Sequence, residues 1–499
     1  MPGLLSRERI IAPPGFNRWL VPPAALAIHL SIGVAYGFSV FWLPLSKAIG
    51  ITQPVACPAT MNFFSRMFAT TCDWKISALS IMYSMFFFFL GLSAAVFGRW
   101  VEREGPRKAG VVAALCWGGG FGLSAGGVTL HQIWLLWIGS GVIGGCGLGL
   151  GYISPVSTLI KWFPDRRGLA TGLAIMGFGG GAMIGSPLAN ILMNHFRSGV
   201  AVGVWQTFLT MGAIYFVAML AGAFGYRLPA PDWRPAGWSP PEPQARSMIT
   251  GRQVHVDVAA PRSGSWHVIQ GGTPQFWLLW IVLCMNVSAG IGVIGMASPM
   301  LQEVFGGKLL GVVGALKDLT EDQKTQVATI GAGFAALLSL FNIGGRIFWA
   351  SCSDWIGRQR TYTIFFALGI VLYCTAPLAG RLGVIPLFVG IFCVILTMYG
   401  GGFATIPAYL ADLFGTIHVG AIHGRLLTAW SCAGILGPVL VTGVREWQLD
   451  HGVPAAQAYN TTLYVLAGFL VIGLVANLRV RPVAERSYMT DAEVTAERR

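Results

Sequence analysis

GRWVEREGPRKAG at residues 98–110 and ASCSDWIGRQRTY at residues 350–362 share one arrangement about 250 residues apart: an acid, two residues, a glycine, then basic residues. The first copy reads Glu102, Gly105 and Arg107; the second reads Asp354, Gly357 and Arg358. IGVAYGFS (32–39) and IGVIGMAS (291–298) repeat at nearly the same offset, so a unit of about half the chain is duplicated. Working outward from these loops, apolar runs of the ~17 to 25 residues that cross a bilayer fall near 19–45, 75–97, 109–130, 132–155, 168–193, 203–226, 274–299, 326–350, 361–380, 384–410, 425–444 and 460–478. Helices satisfy their own backbone hydrogen bonds in lipid. The expected fold is therefore an all-α membrane protein of twelve transmembrane helices in two pseudo-symmetric six-helix bundles.

Composition agrees. The chain is 54% hydrophobic and only 11% charged, against ~25% charged in soluble domains, which excludes an ordinary soluble enzyme. With both termini cytoplasmic, 23 of the 33 Lys and Arg lie in inner segments and 9 in outer ones, the asymmetry of the positive-inside rule. The net charge of +13 is thereby accounted for by topology, with the basic segments facing anionic membrane lipid and no nucleic acid partner implied. The first apolar run lacks a small-residue cleavage site and is expected to be the first span. The predicted organisation is a bundle at 1–226, a Pro- and Arg-rich cytoplasmic linker at 227–273, a second bundle at 274–480 and a cytoplasmic tail at 481–499. Cys57 and Cys72 share the long outer connection 46–74 and are candidates for a disulfide.

One charge stands inside a span. In TQVATIGAGFAALLSLFNIGGRIFWASC (325–352) Arg346 is alone among apolar residues, at a cost of ~2.5 to 3.5 kcal/mol on insertion scales, and such a residue usually faces a bundle interior or a substrate path. The other reading is a side chain that snorkels to the nearer interface. Asn342 lies one helical turn away on the same face. A guanidinium offers a planar fork of donors suited to a carboxylate.

Together, these features resemble the major facilitator superfamily. The loop at 98–110 is similar to its signature G-x-x-x-(D/E)-R-x-G-x-R-(R/K) through Gly98, Glu102, Arg103, Gly105, Arg107 and Lys108, while the second copy has Ala350 and Trp355 at two signature positions. KWFPDRRGLATG (161–172), YGGGFATIPAYLADLFG (399–415) and GRLLTAWSCAGILGP (424–438) resemble the oxalate/formate antiporter family and, more distantly, the monocarboxylate transporters. The resemblance implies a secondary carrier that moves small carboxylates by alternating access, with the loops as cytoplasmic gates and the first as the stronger one. It implies a substrate site at Arg346 and Asn342, walled by Tyr36, Tyr152, Tyr399 and Trp430 on cavity-lining helices. Asn342 stands where monocarboxylate transporters carry an aspartate, and Trp430 where oxalate carriers have a lysine. Antiport of a monoanion is accordingly expected. Proton symport, for which His29 is the remaining titratable group, and a transporter-like receptor without turnover are the alternatives. No acid falls within any span as drawn.

Glycine runs at 139–151 and 177–185 follow no strand and are helix-packing surfaces, not nucleotide loops. The histidines show no metal or acid/base spacing, so no catalysis, metal or cofactor is expected. The resemblance implies a small carboxylate and its counter-substrate as partners, and a monomer in a bacterial inner membrane.

Overall fold

The computed structural model describes residues 3–51, 55–58, 60–74, 76–230, 233–238, 253–254, 274–484 and 487–498. Most of the predicted linker lies outside them. Among the described residues twelve helices are long and apolar enough to cross a membrane, and the rest is short helices, turns and isolated bridges. We label them α1 (Val21–Gly33, continuing as a tighter helix over Val34–Phe41), α2 (Ile76–Glu104), α3 (Pro106–Thr129), α4 (Ile133–Trp162), α5 (Arg167–Phe196), α6 (Val204–Gly225), α7 (Pro274–Phe305), α8 (Glu321–Ile356), α9 (Arg358–Leu382), α10 (Ile385–Phe414), α11 (Thr428–Asp450) and α12 (Asn460–Leu478).

Local sequence sets the helix ends. Gly105, at φ +95° and ψ 159°, separates α2 from α3, and Pro106 opens α3 where its missing N–H costs nothing. Gly357, at φ +89° and ψ 146°, makes the matching turn between α8 and α9. Both lie in the region L side chains rarely adopt, which is why each duplicated loop keeps its glycine. At the start of α8, Thr320 and Gln323 form a reciprocal capping box.

Two compact units result: Met1–Leu159 with Gly177–Leu228, and Ile160–Met176 with Pro229–Arg499. The first is cored by Phe38, Phe41, Phe86, Phe121 and Phe208, whose ring centroids lie 4.8 to 5.9 Å apart. Its glycines let backbones touch: a Cβ on Gly181 would lie 2.5 Å from Gly33, and one on Gly120 would lie 2.6 Å from the Gly139 carbonyl. Around Gly139, α4 is π-helical over Trp137–Gly144. In the second unit Gly437 of α11 meets α7 in the manner of Gly181 and α1, with its Cβ position 2.6 Å from the Ser288 carbonyl.

The helices outrun the spans drawn from sequence, and this corrects one expectation. Glu102 and Glu104 lie in α2, Asp354 in α8 and Asp412 in α10, all at helix ends; Asp412 is buried.

Candidate functional site

In the second unit α8 presents Arg346 fully buried, with 0% of its surface exposed. Its Nε–H donates to Asn342 Oδ1 at 2.9 Å, the one-turn neighbour, and Nη1–H donates to the Ile175 carbonyl of α5 at 2.7 Å. The snorkelling alternative is not what the side chain does. Beneath the guanidinium lies the ring of Phe403, 5.7 Å from the arginine carbon, close enough for a cation–π contact. Phe403 gathers the two other residues of this unit expected at the site: Tyr399 packs on it edge-on at 5.2 Å and Trp430 at 4.2 Å.

Close approach of α10 to α8 makes this possible. A Cβ on Gly400 would lie 2.3 Å from the Asn342 carbonyl, 2.6 Å from its Oδ1 and 3.1 Å from Arg346 Cγ, and one on Gly345 would lie 2.1 Å from the Thr397 carbonyl. With no side chain at these points, the α10 backbone lies directly against both polar residues. A guanidinium is a planar fork of donors that can bond a carboxylate at two points.

Tyr36 and Tyr152 belong to the first unit. There they flank Phe178, with Tyr36 edge-on at 4.8 Å and Tyr152 at 5.8 Å. His29 is buried beside them, its Nε2 3.3 Å from the Tyr152 carbonyl and its ring 5.4 Å from the tyrosine ring. The six expected site residues therefore form two clusters, each organised by a phenylalanine the sequence reading passed over. Asn286, buried on α7, was also missed: a Cβ on Gly402 would lie 2.5 Å from its Oδ1, and it lines a narrow crevice with Gly290, Phe365, Tyr373, Met398 and Tyr399.

The charged loops differ in their bonding. In the first, Glu104 rather than the signature acid Glu102 pairs with Arg103 at 3.0 Å and Lys108 at 2.8 Å. Arg107 donates to the carbonyls of Leu4, Phe224 and Tyr226 at 3.2 to 3.5 Å. In the second, Arg358 bonds Asp354, Asp412 and Ser353, and the Asp354 carboxylate accepts from Leu169 N–H at the start of α5. The departures at Ala350 and Trp355 leave this network closed.

Cys57 and Cys72 are joined by a disulfide. Beside it Asp73 accepts from the backbone N–H groups of Ile49, Gly50 and Val55 at 2.7 to 3.0 Å. His131 stacks on Trp74 at 4.1 Å, and its Nε2–H donates to the Cys72 carbonyl at 2.9 Å. Burial holds the His131 imidazole below its ordinary value, against the upward pull of that carbonyl and of Asp73.

Twelve helices long and apolar enough to cross a membrane among the described residues, and paired glycine turns with basic clusters, are the features of a polytopic membrane transporter. The sequence profile described as Major Facilitator Superfamily matches residues 24–438, and the chain belongs to that superfamily. It is 26% identical over 332 residues to the oxalate:formate antiporter of Oxalobacter formigenes, covering 66% of this chain and 68% of the relative. Monocarboxylate transporter 11 of Homo sapiens is 26% identical over 473 residues, covering 93% of this chain and 84% of the relative. Among solved structures, the proton:xylose symporter XylE bound to 6-bromo-6-deoxy-D-glucose has the same fold, with a TM-score of 0.60, 14% identity and coverage of 96% and 98%.

Proposed function

We propose that this transporter exchanges small organic monoanions, carboxylates, by alternating access, with both termini on the cytoplasmic side. The observation that carries the reading is the fully buried Arg346, bonded through Nε and Nη1 to two neutral oxygens and backed by Phe403. A carboxylate bound there makes charge-assisted bonds in a low-dielectric setting, while neutral solutes do not. Trp430 packs its indole on Phe403 at 4.2 Å, where a second cation would have favoured a dianion. Names of the relatives, an oxalate:formate antiporter and a monocarboxylate transporter, support the substrate class.

The test is counterflow in proteoliposomes with formate, lactate, pyruvate, oxalate and succinate. Internal monocarboxylate is expected to accelerate uptake more than an imposed pH gradient does, and Arg346→Gln to abolish it while the protein keeps its thermal unfolding profile. Uptake at normal rates by Arg346→Gln sinks the assignment of the site. Uptake driven by the pH gradient alone sinks exchange.

A further inference from the structure

Ahead of the first span, residues 4–12 are fastened at three points to the end of the first unit where α1 begins. Leu4 offers its carbonyl to Arg107 Nη1–H at 3.2 Å. Ile10 is completely buried against the α2–α3 turn: a Cβ on Gly105 would stand 3.1 Å from its Cδ1 and 3.5 Å from the stem of Arg7. Ile10 and Ala12 then flank Leu228 in a parallel bridge, with Leu228 N–H donating to the Ile10 carbonyl and Ala12 N–H to the Leu228 carbonyl, both at 2.8 Å. The segment is thus a strap that joins the α2–α3 turn to the chain just beyond α6.

These contacts account for the inner face of the strap, and its outer face has a different chemistry. Arg7, Glu8 and Arg9 are exposed, as are Leu4 at 56% and Ile11 at 42%. Among the described residues neither Arg7 nor Arg9 makes an ion pair. Arg9 and Arg227 are also near enough for their charges to bear on Arg107, so basic groups are gathered here against their own repulsion, which an anion relieves. Position says which anion. The strap leads into α1 through Trp19 and Leu20, 45% and 60% exposed, and a tryptophan beside apolar residues at the start of a span belongs at headgroup level. Because successive spans alternate in direction, the start of α1, the α2–α3 turn and the end of α6 share this face of the membrane.

From this arrangement we infer that the outer face of residues 4–12 docks on anionic phospholipid headgroups, and that lipid charge acting on Arg7 and Arg9 holds the strap against the α2–α3 turn. A negatively charged leaflet attracts each basic residue close to it, while Leu4 and Ile11 add apolar area at the boundary with the acyl chains. The hold passes to the turn through the Leu4 carbonyl on Arg107 and through Ile10 on Gly105. Neither the solute carried nor the role of Arg346 enters, so this surface stands or falls apart from the anion site.

Hydrogen–deuterium exchange of the full chain tests this, in vesicles of phosphatidylcholine alone and of phosphatidylcholine mixed with phosphatidylglycerol in both leaflets, so that neither result depends on orientation. Phosphatidylglycerol is expected to slow exchange in residues 4–12 by roughly five- to thirtyfold, the range that one or two basic residues give at an anionic surface, and to slow it in residues 105–109 as well. Arg7→Gln combined with Arg9→Gln should lose this response while keeping the wild-type thermal midpoint in detergent. Glu8→Gln, at the exposed acid between them, should keep it. Equal exchange in the two lipid compositions overturns the docking surface, and so does a response that survives in the double variant or disappears in Glu8→Gln. If inorganic phosphate at matched ionic strength gives the same protection in phosphatidylcholine alone, the ligand is free phosphate and the lipid surface falls. Slowing confined to residues 4–12 overturns the hold on the α2–α3 turn. Should the double variant not fold, added salt decides: the wild-type response must shrink as the lipid charge is screened, and a response indifferent to salt overturns the inference.

Discussion

At the scale of single residues, the proposed anion site reduces to what surrounds one guanidinium. Phe403 faces it at 5.7 Å and is itself completely buried, so the ring contributes a cation–π attraction. Replacing it with leucine keeps most of the apolar volume and removes the π face. Phe403→Leu is expected to raise the half-saturating concentration for exchange by roughly two- to tenfold, the range a cation–π contact spans, with expression and thermal stability changed far less. An unchanged half-saturation would remove Phe403 from the site. Arg346 and Asn342 were readable in the sequence because an arginine in an apolar run is costly enough to announce itself. Phe403 and Ile175 were not: a phenylalanine among thirty and a backbone carbonyl carry no signal until α10 and α5 are packed on α8.

At the scale of elements, the duplicated loops show which part of a motif is geometry and which is bonding. Gly105 and Gly357 were legible as paired glycines because both turns need a positive φ. The bonding was less legible, since spans drawn by hydropathy stop short of helix ends. α10 runs to Phe414 and carries Asp412 into a buried position, where a hydropathy reading places a connection. There Arg358 Nε donates to Asp412 at 3.1 Å, with side chains 7% and 3% exposed, and this ion pair ties the α8–α9 turn to α10. Removing one partner of a buried pair costs ~3 to 5 kcal/mol where the other charge is left uncompensated. Arg358 keeps its pair with Asp354, so Asp412→Asn is expected to lower the thermal midpoint by less than that full cost, and Asp412→Asn combined with Asp354→Asn, which strands Arg358, to lower it further. Glu104→Gln, whose partners Arg103 and Lys108 are largely exposed, is expected to change stability little. Equal losses for Asp412→Asn and Glu104→Gln would show that burial is not what sets the strength of these loops.

At the scale of the whole molecule, the described residues of the connection 46–74 carry three adjoining devices: the Cys57–Cys72 bridge, the Asp73 carboxylate on three backbone N–H groups, and His131 stacked on Trp74. The bridge was readable as two cysteines in one outer segment; the histidine was not, since it sits in the α3–α4 turn and meets the loop only in the folded chain. Burial holds the folded-state value of His131 below the 6.5 of an exposed histidine. The sign follows from proton counting: between the folded and unfolded values the unfolded chain binds more protons, so stability rises with pH there. The His131 contribution is complete above about pH 6.5 and is lost as pH falls toward the lower folded value. Protonation would also place a cation in a stacked, buried ring whose Nε2–H already serves the Cys72 carbonyl. The protein in detergent is thus expected to unfold at a lower temperature at about pH 5 than at pH 7.5. Because carboxylates also titrate in that range, the measurement that isolates His131 is the difference between wild type and His131→Gln across the two pH values. The variant should lose part of the pH dependence, and more of it in the oxidised protein than after reduction of Cys57–Cys72 loosens the loop His131 packs on. Identical pH profiles for the two proteins would place the acid sensitivity elsewhere in the molecule.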